Sequence, residues 1–186
     1  MSTHSEQGAR IERLREDLAA RKLDAGLVTS LPNVRYLTGF TGSNAMLLVA
    51  GRGATLFTDP RYTLQAKTET AGSGVRAVIA RGALELAVAG RLAKLRRIGF
   101  ENHRVSFRAW EAIRAALPAG AELEPLGDAI ERRRMVKSGA EIAAIRESVQ
   151  INSQAFAAAL TRFRPGMSES DFAAEIEYRS EERRVG

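Results

Sequence analysis

At 186 residues, with 45% hydrophobic and 27% charged side chains, the chain can bury one solid core with an appendage. No apolar run approaches the ~18–20 residues of a membrane-spanning helix, and the absence of cysteine excludes a disulfide framework, a thiol nucleophile and a thiolate metal site. The net charge of +6 raises nucleic acid as a partner, but only Lys94, Arg96 and Arg97 and the run Arg132, Arg133, Arg134 cluster, and neither is interleaved with aromatic residues, so a solvated arginine-rich surface accounts for the excess.

The polar start, Met1 to Gly8, lacks the basic head and apolar core of a secretory leader, which makes cytoplasmic residence the expectation. Ile11, Leu14 and Leu18 then recur at helical spacing among charged residues and predict a surface helix ending near Lys22. Ala25 to Thr29 is too short for a buried helix and reads as a strand, broken by Ser30-Leu31-Pro32. Ala45 to Val49 and Ala54 to Thr58 flank Gly51-Arg52-Gly53 and predict an antiparallel hairpin. Asp59-Pro60 places an N-cap before a proline suited to the first helical position, predicting a helix to about Glu69.

Val75, Ala77 and Ile79 alternate as a strand. Leu84, Val88, Leu92 and Leu95 share a helical face, Ile98 and Phe100 belong to another strand, and Ser106 caps a helix striped by Phe107, Trp110, Ile113 and Leu117. A short strand near Leu123 follows. Strands alternating with helices, plus one hairpin, define an α/β fold with a mixed sheet flanked by helices. From about Asp128 the pattern is helical only. Ser138-Gly139-Ala140-Glu141 is a capping box that opens a helix of about six turns, and Arg164-Pro165-Gly166-Met167 separates it from another begun by Ser168-Glu169-Ser170-Asp171. Two such helices cannot enclose a core alone, so their apolar faces need a partner.

Two blocks stand out: Leu31-Pro32-Asn33-Val34-Arg35-Tyr36-Leu37-Thr38-Gly39-Phe40-Thr41-Gly42-Ser43-Asn44, and Leu56-Phe57-Thr58-Asp59-Pro60-Arg61-Tyr62. Together they resemble the signature of the creatinase/prolidase N-terminal domain, the non-catalytic front half of Xaa-Pro aminopeptidases and Xaa-Pro dipeptidases. The segment Arg132 to Ile142 is similar to the junction where a linker helix enters the catalytic domain of these enzymes. Phe163-Arg164-Pro165-Gly166-Met167-Ser168-Glu169 is similar to the turn between the first two helices of their pita-bread fold.

The resemblance implies a ribonuclease H-like N-terminal architecture over residues 1–128, a linker helix and the first helices of an incomplete pita-bread domain over 129–178, and a tail over 179–186. The tail looks like the translation of a sequencing-library adapter and is expected to be non-native; a natural charged helix end is the other reading.

For the whole family the resemblance implies two divalent metal ions (Mn, Co or Zn), held in the catalytic domain by two aspartates, a histidine and two glutamates, activating a water against the peptide bond before proline. It also implies proline-containing peptides as substrates and a homo-oligomeric parent. None of those ligand motifs occurs here, so no catalytic or metal residue is carried over, and the chain is expected to be inactive by itself. A stand-alone binding or assembly module of the same fold is the alternative. The motifs do not separate an aminopeptidase parent from a dipeptidase or a creatinase-like hydrolase.

Among the remaining candidates, His4 and His103 lack a second histidine at ligand spacing, and Gly39 to Asn44 lacks the Gly-Lys-Ser/Thr ending of a phosphate loop. Asp59, Arg61 and Tyr62 read as a capped helix start rather than a substrate clamp. Asn33, Arg35 and Tyr36 form a polar trio expected on a loop between strands, where binding residues concentrate. The resemblance lends Asn33 and Tyr36 a place at the substrate-cleft or subunit-contact rim; a local turn with a packed tyrosine is the alternative.

Overall fold

A computed structural model of the chain describes residues 3–51 and 53–184. The chain divides into two compact units, one ending at Met135 and the other beginning at Val136.

The first unit opens with helix α1 (Thr3–Ala20), whose Ile11, Leu14 and Leu18 are all nearly inaccessible to solvent. Strand β1 (Ala25–Val28) follows, then α2 (Leu31–Thr38), β2 (Ala45–Ala50) and β3 (Gly53–Thr58). A single 3-10 turn, Pro60–Tyr62, leads into α3 (Thr63–Glu69), and β4 (Val75–Ile79), α4 (Leu84–Leu92), β5 (Arg97–Phe100), α5 (Phe107–Ala115), β6 (Glu122–Pro125) and α6 (Ala129–Met135) complete the unit. The six strands form one sheet in the order β4-β3-β2-β1-β5-β6. Strand β2 runs against β1 and β3, with Leu27 opposite Leu48 and Leu47 opposite Leu56, while the other pairings are parallel.

Strand alternation decides the two cores. Val28, Leu47, Val49, Ala54 and Leu56 point to one face, where they meet Leu14 and Leu18 of α1, Val34 and Leu37 of α2, Ala66 of α3 and Ile130 of α6. Leu27, Met46, Leu48, Phe57 and Ile98 point to the other face, against Leu84, Val88 and Leu92 of α4 and Ile113 of α5. Each large apolar side chain so buried contributes about 1.5–3 kcal/mol. Gly99 on β5 marks a close approach: a Cβ there would lie 2.5 Å from Leu126 Cδ2 and 3.0 Å from Leu23 Cδ1, so only glycine admits both leucines.

One expectation is corrected. The trio Asn33, Arg35 and Tyr36 lies on helix α2, not on a loop. Pro32 sits in the first turn, where its missing N–H costs nothing, and Gly39 at φ 80° ends the helix, its N–H donating to the Arg35 carbonyl. At the expected helix start after Asp59, the carboxylate caps the 3-10 turn by accepting from the Arg61 N–H at 3.0 Å, and the α-helix begins only at Thr63. Helix α6 belongs by its contacts to the first unit, through Ile130 in the core and the Arg133 guanidinium, which donates to both oxygens of Asp17 on α1 at 2.7 Å.

The second unit is a helical hairpin, α7 (Gly139–Leu160) and α8 (Glu169–Arg184). Ser138 and Glu141 form the reciprocal capping box at the start of α7. Phe172 meets Phe156 and Phe163 edge-on at 6.1 and 5.5 Å, and Ala155 and Ala159 are fully buried. Ile145 and Val149 stay 49% and 56% exposed, so α7 carries a partly exposed apolar stripe. Helix α8 runs past Tyr178, with Arg179 paired to Glu175 and Glu182.

Candidate functional site

The sheet order makes β1 a reversal point. From β1 the chain builds outward through β2, β3 and β4, then crosses back to lay β5 and β6 on β1's other side. In open α/β sheets the crevice at the carboxyl ends of the strands flanking such a point is where ligands settle. Here the protein's own side chains fill it. Glu101, directly after β5 and 2% exposed, accepts through Oε2 from the backbone N–H groups of Thr29 and Ser30, at 2.6 and 2.7 Å, and through Oε1 from Asn33 Nδ2 at 2.5 Å.

Asn33, fully buried on α2, is the hub of that cluster. Its amide nitrogen donates also to Glu131 Oε1 on α6 at 2.8 Å, and its Oδ1 accepts from Arg134 Nη1 at 2.9 Å. Arg104 approaches Glu131 at 3.6 Å. Burial pushes the Glu101 carboxyl above its ordinary range; the bonds from Asn33, Ser30 and Thr29 pull it back, and Glu131 adds to the rise.

Beside this plug lies a polar cleft of about 430 Å³, reached by Thr29, Ser43, Asn44, Glu85, Arg104 and Ser106. Asn44 donates to Asp59 Oδ2 at 2.7 Å, Arg61 binds both oxygens of Asp59 at 3.0 and 2.8 Å, and the hydroxyls of Ser43 and Tyr62 are 2.6 Å apart. The Arg61 bonds, with that of Asn44, hold the Asp59 carboxyl well below the usual carboxylate range. The two signature blocks are joined beside the cleft: the first lines it with Ser43 and Asn44, and the second backs these through Asp59 and Tyr62. Their bonds are to each other.

Of the two predicted rim residues, Asn33 has its amide engaged inside the protein, while Tyr36 is half-buried beneath the Arg10 guanidinium, 4.0 Å from the ring centroid. They share α2 but face different neighbours. His103 is exposed and lies 3.8 Å from Asp128; the His4 side chain lies outside the described residues. Among the described residues no group of three His, Cys, Asp or Glu side chains is placed to hold a metal ion, so the residues present do not fit a dinuclear centre. Sequence reasoning missed Glu101, Glu131 and Arg134 as partners of Asn33. The available signal was an acid placed directly after the apolar strand Ile98-Gly99-Phe100.

A mixed sheet with β2 reversed, helices on both faces and two signature blocks joined by hydrogen bonds beside one cleft define the architecture of the first unit. The chain belongs to the creatinase/prolidase N-terminal domain family, whose model matches residues 10–136. It is 34% identical over 171 residues to the "Uncharacterized peptidase YqhT" of Bacillus subtilis (strain 168), covering 91% of this chain and 48% of that protein. It resembles the Xaa-Pro dipeptidase from Bacillus anthracis with a TM-score of 0.85 at 29% identity, over 95% of this chain and 49% of that one. It resembles the N-terminal domain of cytoplasmic peptidase PepQ from Mycobacterium tuberculosis H37Rv with a TM-score of 0.61 at 38% identity, over 67% of this chain and 97% of that domain. The chain thus spans about half the length of the curated relative it matches.

Proposed function

We propose that this chain is the forward lobe of a metal-dependent Xaa-Pro peptidase, with residues 129–178 supplying the linker helix and first helices of the catalytic portion. The parent would cleave the bond before proline in cytoplasmic peptides, using two divalent ions held by residues this chain does not contain, and would work as a homo-oligomer. The observation that carries the reading is the match to the Bacillus anthracis Xaa-Pro dipeptidase, which takes in nearly all of this chain and half of that enzyme. On this reading Tyr36 reaches the substrate-cleft or subunit-contact rim directly, whereas Asn33, being buried, serves the rim by fixing α2.

The chain itself is then inactive. Incubated with Xaa-Pro dipeptides and longer Xaa-Pro peptides in the presence of manganese, cobalt or zinc, it releases no N-terminal residue. Turnover by the purified protein that a chelator abolishes would overturn this reading.

A second reading, a stand-alone binding or assembly module, has one observation in its favour: the N-terminal domain of PepQ has been crystallised by itself, so such a lobe is a compact object without its enzyme. Size separates the readings. A module is a defined monomer or oligomer, whereas a lobe with the α7 stripe uncovered binds hydrophobic dye or aggregates, and Ile145→Lys with Val149→Lys cures it.

A further inference from the structure

Strand β4 is one edge of the sheet: β3 lies on one side of it, and among the described residues no strand lies on the other. The direction of its backbone groups follows from a single bond, in which the Ala80 N–H donates to the Thr58 carbonyl of β3 at 2.8 Å. Backbone groups alternate along a strand. The N–H and C=O of Arg76 and Val78 therefore also turn toward β3, and those of Val75, Ala77 and Ile79 turn outward. The Val75 N–H fits this sense, since it donates to Ser73 Oγ at 3.3 Å and not to β3.

The two edges of the sheet are built differently. Strand β6 carries Glu122 and Glu124 and ends on Pro125, which has no N–H to offer, and such residues discourage pairing with another chain. Strand β4, Val75-Arg76-Ala77-Val78-Ile79, has no proline and one charge. Val75, Ala77 and Ile79 also line, with Thr63 and Lys67 of α3, an open groove of about 660 Å³. An apolar edge without such protection is a template for a further strand. We propose that the β4 edge binds a second copy of this chain, the two β4 strands pairing antiparallel about a twofold axis at Ala77.

The sequence of the strand selects that partner and that register. With the axis at Ala77, the two Ala77 residues exchange both N–H···O bonds, and the Ile79 N–H of each copy donates to the Val75 carbonyl of the other. On the groove face Val75 lies opposite Ile79 and Ala77 opposite Ala77; on the other face Arg76 lies opposite Val78, so like charges do not meet. An axis at Arg76 would set two guanidiniums directly opposite, which is destabilising, and an axis at Val78 would set Val75 against Arg81, beyond the strand. The same surface serves on both copies, so the contact closes at two. Lys67 of each copy comes to the same face, where the two ammonium groups oppose the pairing. With only a short strand from each side, the dimer is weak, with a Kd on the order of 10–100 µM. All of these residues belong to the first unit, and the inference is independent of the peptidase reading.

The test is sedimentation equilibrium with residue-resolved amide exchange by NMR, on the 186-residue chain carrying Ile145→Lys and Val149→Lys so that the α7 stripe takes no part. A monomer–dimer equilibrium without larger species is expected. Between about 50 µM and about 500 µM the Ala77 and Ile79 amides slow about two- to threefold, in step with the falling monomer fraction, while the Arg76 and Val78 amides, bonded to β3 in both states, do not change. Ala77→Pro removes an outward N–H and leaves the ladder to β3 intact, so it raises Kd at least about tenfold while the sheet stays folded. Three results would each overturn the proposal: a monomer across that range, which leaves the edge to an extended segment of a different protein; a dimer indifferent to Ala77→Pro; or exchange of Ala77 and Ile79 that is independent of concentration. If Ala77→Pro does not fold, that exchange decides alone.

Discussion

Substituting Asn33 by aspartate is the sharpest probe of the buried hub, because it keeps the shape and changes only the chemistry. In Asn33→Asp the amide nitrogen that donates to Glu101 and Glu131 becomes an oxygen, so two acceptors lose their donor and a third carboxylate enters a site with no solvent access. Hydrogen bonds to charged groups are worth about 1.5–3 kcal/mol each, which puts the loss near 3–6 kcal/mol; attraction between the introduced carboxylate and Arg134 offsets a part.

There is also a ceiling. At pH 7 the folded variant can take up a proton on the introduced carboxylate, which costs about 4 kcal/mol for an aspartate of ordinary pKa, about 3.9, and restores one donor. With the second acceptor still unpaired that ceiling stands at about 5.5–7 kcal/mol, above the bond count, so the expected destabilisation is about 3–6 kcal/mol, a large share of the roughly 5–15 kcal/mol typical of a domain. With a urea m-value of about 2 kcal/mol/M, the midpoint followed by circular dichroism falls by about 2 M. Because relief comes from proton uptake, the penalty shrinks by up to about 1.4 kcal/mol for each pH unit below neutrality. A loss under about 1 kcal/mol, or an equal loss at about pH 7 and about pH 5, would refute the assignment of Asn33 as a double donor between carboxylates.

Gly99→Ala forces Leu126 aside and costs about 1–3 kcal/mol by overpacking; adding Leu126→Ala removes the clash, so the pair costs less than the two single changes together, and additivity in urea unfolding would argue against the contact. Ser138→Ala breaks the capping box and frays the first turn of α7, costing about 1 kcal/mol and raising amide exchange over 139–142. Asp24 is held below its ordinary range by the Arg97 and Arg96 N–H groups. Glu69 is held low too: burial opposes this, but the bonds from Thr41 and Gln65 prevail. Both therefore contribute stability at neutral pH that is lost as pH falls through their depressed values, opposite in sign to Glu101, and carboxyl shifts followed in one titration separate the two groups.

Apart from α2, the pattern of side chains alone is enough to place the strands and helices of the first unit along the chain, because strand alternation and helical stripes are local and both are strong. Val28 and Leu27 point to opposite cores as their positions in β1 require. The capping box at Ser138 was equally plain, since its four residues carry the whole motif. Helix α2 was misread as a loop because its eight residues follow a Ser-Leu-Pro run that reads equally well as a break; the decision falls to Gly39, whose left-handed conformation stops a helix that the proline had started.

The hub around Asn33 lay beyond any local rule. Its partners stand 68, 98 and 101 residues away, and only the crossing of the chain from β4 back to β5 beside β1 brings the end of one strand, the face of α2 and the face of α6 to the same amide. Residue types and spacings settle what each segment can form, since those preferences are short-range. Which charges share a buried nitrogen is settled by topology, and the burial that topology imposes is what raises the Glu101 carboxyl.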